Sequence, residues 1–134
     1  MFKQNVDIAL LLVHIVVGST FTLHGAQKVF GFFGGPGLTG FTSWLYTQGV
    51  PVWLGTIAAY VELLGGISVL LGIMPELGAL GLICLMIGAI YLVHGSKGYF
   101  SQNGGFEYPL NLLLLCLAIM LGGVDRFCIW SWWK

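Results

Sequence analysis

The sequence predicts an all-α membrane protein: a four-transmembrane-helix bundle with a long glycine- and aromatic-rich loop between its first and second spans. Three observations predict it. Only 7% of the 134 residues are charged and 57% are apolar, with a mean hydropathy of +0.93; typical soluble domains carry about 25% charged residues. The apolar residues fall into long uncharged runs. Prolines stand where those runs begin. A soluble chain of this length could not cover so much apolar surface, whereas lipid removes the need for a polar coat. Residues 1–134 read as one domain.

The spans are placed at about 8–27, 52–73, 77–95 and 108–124. The first, third and fourth contain no formal charge, and the second contains only Glu62. Each is near the length that crosses a bilayer at 1.5 Å rise per residue, the fourth being the shortest. The first is expected to be retained and to act as its own targeting signal. Pro51, Pro75 and Pro109 suit the first turn of the second, third and fourth helices, where a missing N–H costs nothing. Pro36 lies in GFFGGPGLTG, a segment too rich in glycine to be a stable helix in lipid. The loop from Lys28 to Val50 carries Phe32, Phe33, Phe41, Trp44 and Tyr46, and is expected in the interface or folded back onto the bundle.

Four spans put both termini on one side. Lys3, Arg126 and Lys134 then face Lys28 and Lys97 across the membrane, and the three-to-two excess places the termini in the cytoplasm. The formal net charge is zero with no basic tract, which excludes nucleic-acid binding. Cys84, Cys116 and Cys128 form neither a CxxC pair nor a zinc or disulfide pattern, and no metal site is expected. Cys84 and Cys116 fall in apolar runs and read as small buried thiols.

Three of the helices have a face of small residues. In the first it is His14, Gly18, Phe21, Gly25 and Lys28. In the second it is Gly55, Ala58, Ala59, Glu62, Gly65 and Gly66, and in the third Cys84, Gly88, Tyr91, His94 and Gly95. Small residues let helices approach closely in lipid, so all three faces are expected to pack, with Glu62 pointing inward.

Helix direction gathers the polar residues. The first and third helices end, and the fourth begins, at one membrane face. His24, Lys28, His94, Lys97, Glu107 and Tyr108 therefore share that rim. Glu62 lies about ten residues into its helix from the same rim, roughly 15 Å deep. A carboxylate at that depth costs at least ~2–3 kcal/mol and must be protonated or paired. His24, His14 and His94 are its candidate partners, because Lys28 can reach the headgroups instead.

These residues suit a quinone site, which needs an apolar slot, hydrogen-bond donors for carbonyl oxygens and a proton path. Glu62 and His24 are the candidate catalytic groups. His24, Lys28, Glu62, His94, Glu107 and Tyr108 are the candidate quinone-binding groups. The chain has no flavin motif and no iron–sulfur ligand set, so it would be at most the membrane subunit of a quinone-linked oxidoreductase, joined to a partner protein. A haem held by His24 and His94 is the lesser cofactor reading. A non-catalytic assembly factor, chaperone or scaffold and a small-solute or proton-coupled transporter are the competing functions, the latter plausible only as an oligomer such as a homo-oligomer.

The segments HGAQKVFGFFGGPGL (His24–Leu38), VELLGGISVLLGI (Val61–Ile73), GGFEYPLNLLLL (Gly104–Leu115) and GGVDRF (Gly122–Phe127), in that order, resemble the DoxX family. The family-like positions are His24, Gly25, Lys28, Glu62, Gly66, Glu107, Tyr108 and Pro109. The resemblance implies a four-helix inner-membrane bundle with cytoplasmic termini, and an association with redox stress. It also implies kinship with the membrane subunit of archaeal thiosulfate:quinone oxidoreductase and, more distantly, with eukaryotic cargo receptors and chaperones. One position departs. Many members have Arg early in the first helix where this chain has His14, which could mate with Glu62.

Overall fold

The computed structural model describes residues 1–123 and 126–133, without the Trp133 side chain. Val124 at the end of the fourth predicted span, and Asp125 and Lys134, lie outside the described residues. Every regular element among the described residues is helical: α1 (Phe2–Phe30), α2 (Gly37–Thr47), α3 (Val52–Leu71), α4 (Pro75–Ala89) and α5 (Glu107–Gly122), with short 3-10 and π turns between and after them. Phe2–Phe30, Val52–Leu71 and Pro75–Lys97 are long and apolar enough to cross a membrane. At 16 residues α5 is shorter; it covers about 24 Å against a hydrocarbon core of about 30 Å.

The helix ends follow from local chemistry. α1 stops at Gly31, whose φ of 73° lets its N–H reach back to Gln27 O. Pro51 holds extended backbone before α3, and Pro75 opens α4. The α3–α4 turn is closed by Ser68, whose hydroxyl donates to Ile73 O at 2.6 Å. It also holds Met74 at a φ of 49°, a left-handed conformation unusual for a side chain of that size.

The dominant seam joins α1 to α3. A Cβ on Gly18 would stand 2.5 Å from Leu70 backbone atoms, one on Gly25 2.5 Å from Leu63 Cα, and one on Gly66 2.5 Å from Thr22 N. The backbones pack at a distance only glycine permits, as the small-residue faces of the first two spans predicted. α4 packs on α3, and α5 closes the bundle against α4 and α1. Val17, Phe21, Val69, Ala79, Leu82, Leu112, Cys116 and Ile119 form its main core.

Two expectations change here. The segment after Gly31 is not all loop: residues 37–47 form the amphipathic helix α2, laid against α1 and α3 with Thr42 and Leu45 buried. Of the glycines that argued against a helix, Gly31 and Gly34 precede it and Gly37 opens it, all three at positive φ where the chain turns, while Gly40 lies inside the helix. The third small-residue face does not pack. α4 buries Gly78, Ala79, Leu82 and Met86, leaving Cys84 exposed and Tyr91 85% exposed. Cys84 is therefore not the buried thiol its apolar surroundings suggested.

Candidate functional site

The glycine seam sets the site. Because Gly25 rides on Leu63, the next turn of α1 brings Lys28 alongside Glu62. The Lys28 ammonium donates to Glu62 Oε2 as a direct ion pair. Glu62 is 5% exposed, and the Lys28 side chain is 26% exposed. From the other side Lys28 Nζ lies 4.9 Å from the Phe41 ring centre, a cation–π contact strengthened by desolvation. The cation is held between a carboxylate of α3 and an aromatic ring of α2.

Glu62 therefore takes Lys28, and not a histidine, as its partner. Snorkelling is open to Lys28 in isolation, but a buried carboxylate within reach outweighs the headgroups. His14 does not mate with Glu62. It sits lower on α1, where its Nδ1–H donates to Val69 O at 2.9 Å. Val69 is seven residues beyond Glu62 on α3, about 10 Å along the helix.

The ion pair opens onto a cleft of about 530 Å³, a size usual for small-molecule sites. One wall is α2, with Phe41, Trp44 and Leu45; the floor is α3, with Leu54, Ala58 and Glu62. The other wall is α4 and its continuation, including Cys84, Leu85, Gly88, Leu92, Val93 and His94. Cys84, Gly88 and His94 of the face expected to pack thus line the cleft. A Cβ on Gly88 would meet nothing within 4 Å. Past Ala89 the helix widens into a π turn over Ile90–His94, a distortion frequent at functional sites. That turn closes at Gly95, where a Cβ would stand 2.7 Å from Ile90 O.

The other rim residues divide. His94 lines the cleft, and its Nδ1–H donates to Gly104 O at 2.7 Å, tying the π turn to the loop before α5. Glu107 accepts from Ser101 N at 3.1 Å and braces the same loop. His24 and Tyr108 are exposed and meet each other outside the cleft, Nε2 to hydroxyl oxygen 3.5 Å. Lys97 folds under Gly104. Among the described residues, no three His, Cys, Asp or Glu side chains gather as a metal cluster would. Sequence reasoning missed the α2 wall. Its signal was the spacing of Phe41, Trp44 and Leu45, which fits one side of a helix.

The DoxX family model matches residues 9–95, a range that holds α1 to the π turn and so the ion pair and the cleft. The chain belongs to the DoxX family. It is also similar to a Bacillus subtilis (strain 168) protein named "Putative oxidoreductase CatD", with 28% identity over 117 residues, covering 87% of this chain and 82% of that protein. No solved structure matches the chain. As a DoxX protein it is a membrane protein by family and by its apolar helices.

Proposed function

We propose that this DoxX protein binds a lipid-soluble quinone in the cleft beside Lys28 and Glu62, as the membrane subunit or anchor of a partner oxidoreductase. The observation that carries the reading is an ion pair, its carboxylate buried, on a cleft whose remaining lining is apolar apart from Cys84 and His94. Apolar walls suit a ring and the first part of a prenyl tail. The Lys28 ammonium suits a carbonyl oxygen, to which it donates while Glu62 holds it in place. Glu62 is the group able to pass a proton as carbonyl oxygens become hydroxyls. Reduction to the quinol takes two electrons and two protons. The electrons come from the partner, since the chain carries no flavin motif or cluster ligand set. The relative's name, an oxidoreductase, favours the same class. The setting would be a bacterial inner membrane with cytoplasmic termini.

Wild-type protein in detergent, titrated with short-chain ubiquinone and menaquinone analogues, should bind one class and gain thermal stability. Glu62→Gln and Gly88→Leu should weaken that binding, the first by altering the polar end and the second by filling the cleft. If neither analogue binds or stabilises the wild type, the redox reading fails. The ion pair is then a strut between α1 and α3, as a scaffold would need.

A further inference from the structure

The three walls of the cleft are not held alike. α1 and α3 meet backbone to backbone along the glycine seam. α2 fully buries two of its eleven residues, Thr42 and Leu45. Both rest on one point of α3, Gly55, where a Cβ would stand 3.2 Å from Leu45 Cδ1 and 3.3 Å from Thr42 Cγ2. Leu38 and Phe41 are partly buried against Ala26, Val29, Ala59 and Leu63. The α2 hydroxyls bond within their own helix, Thr42 to Leu38 O at 2.9 Å and Thr47 to Trp44 O at 2.6 Å. An element held by few buried contacts opens at low free-energy cost. In a bilayer the cost is lower still, because a lifted apolar helix meets lipid and not water.

Both ends of α2 have a pivot. Before it, Gly35 is pinned to α1, since a Cβ there would stand 2.4 Å from Gln27 Cβ. Two residues on, Gly37 opens the helix at a φ of 70°, and a Cβ there would have its nearest neighbour at 3.9 Å. After α2, Gly49 has a φ of 87°, and a Cβ there would meet nothing within 4 Å. Glycines with positive φ and open surroundings absorb the dihedral change of a hinge. One backbone bond spans the second pivot, Val50 N–H to Leu45 O at 3.0 Å. The helix between the pivots covers the polar end of the cleft: Phe41 stands 4.9 Å from Lys28 Nζ.

We propose that α2 is the gate of the cleft. It turns about Gly37 and Gly49, lifts Phe41 from Lys28 and lifts Thr42 and Leu45 from Gly55, and so admits a lipid-dissolved molecule to the ion pair. That this molecule is a quinone rests on the function proposed above; the opening itself does not.

A disulfide tests the gate. A Cβ on Gly55 would stand 3.6 Å from Thr42 Cα, within the spacing a disulfide bridges. The full chain carrying Thr42→Cys and Gly55→Cys, in a Cys84→Ser background, is compared in detergent in its oxidised form and in its reduced, desalted form. The ligand is a quinone analogue with no free ring position for a thiol to attack, and quenching of tryptophan fluorescence after rapid mixing gives both rates. Oxidation should slow association and dissociation together by at least about tenfold, with Kd little changed, as a gated site requires. Unchanged rates, or a weaker Kd at an unchanged association rate, would overturn the gate and leave the quinone reading standing. If the wild type binds no analogue, the quinone reading fails by itself. Hydrogen exchange of the ligand-free wild type then decides the gate, as it does if the variant fails to fold, bind or oxidise. The hydrogen-bonded amides of α2 should exchange at least about tenfold faster than those of α3; equal protection would overturn the proposal.

Discussion

Removing Lys28 should destabilise the bundle more than removing the charge of Glu62. Lys28→Met leaves a carboxyl group that is 5% exposed with no cation beside it. Breaking a buried pair from one side costs about 3–5 kcal/mol. Protonation of Glu62 limits that loss, so about 3 kcal/mol is expected. Glu62→Gln instead strands an ammonium whose side chain is 26% exposed. That ammonium lies on the last turn of α1, one residue pair from the Gly31 cap, and it can swing to the headgroups. Its loss should be about 1–2 kcal/mol. The double variant leaves neither charge and should recover about half of the summed loss, a coupling energy of about 2–3 kcal/mol. The assay is reversible unfolding in mixed micelles by denaturing detergent, read by helix content, for the two single variants and the double. Equal single effects that add within about 0.5 kcal/mol would refute the reasoning, because the two groups would then not depend on one another.

The remaining predictions concern packing. Gly25→Ala should cost about 1–3 kcal/mol, since its Cβ would stand 2.5 Å from Leu63 Cα; thermal melting in detergent measures it. Gly88→Leu should leave melting unchanged or raise it, because its Cβ has open space and glycine within a helix costs about 1 kcal/mol. Phe41→Leu should lose about 0.5–2 kcal/mol of cation–π stabilisation over Lys28, and that loss should shrink when Lys28 is already Met. Met74→Asn should stabilise by about 0.5–1 kcal/mol by relieving a φ of 49°; an unchanged melting temperature would show that Ser68 already compensates the strain.

Much of the fold was legible because its determinants are local. Charge-free runs and the placement of Pro51 and Pro75 mark helices whatever packs beside them. The faces of α1 and α3 were legible too, since glycines at helical spacing on both sides of a seam have one efficient arrangement. The same reasoning failed on α4. Cys84, Gly88 and His94 share the face expected to pack, yet they line a cleft, and spacing alone does not distinguish a tight contact from a missing one. α2 was hidden by the turn residues before it, whose composition masked eleven helical residues.

The sequence by itself determined that this chain is an all-helical membrane protein and where its long apolar helices run. Hydropathy, chain breaks and a fixed rise per residue decide those points without reference to neighbours. Only the tertiary structure decided which partner the buried carboxylate takes. Lys28, His24, His14 and His94 all lay within the reach that topology allows. The choice depends on how α1 is rotated and slid against α3, and three glycine contacts along the seam, at Gly18, Gly25 and Gly66, fix that register. They turn Lys28 onto Glu62, leave His24 outside with Tyr108, and place His14 over Val69 beside a cavity of its own.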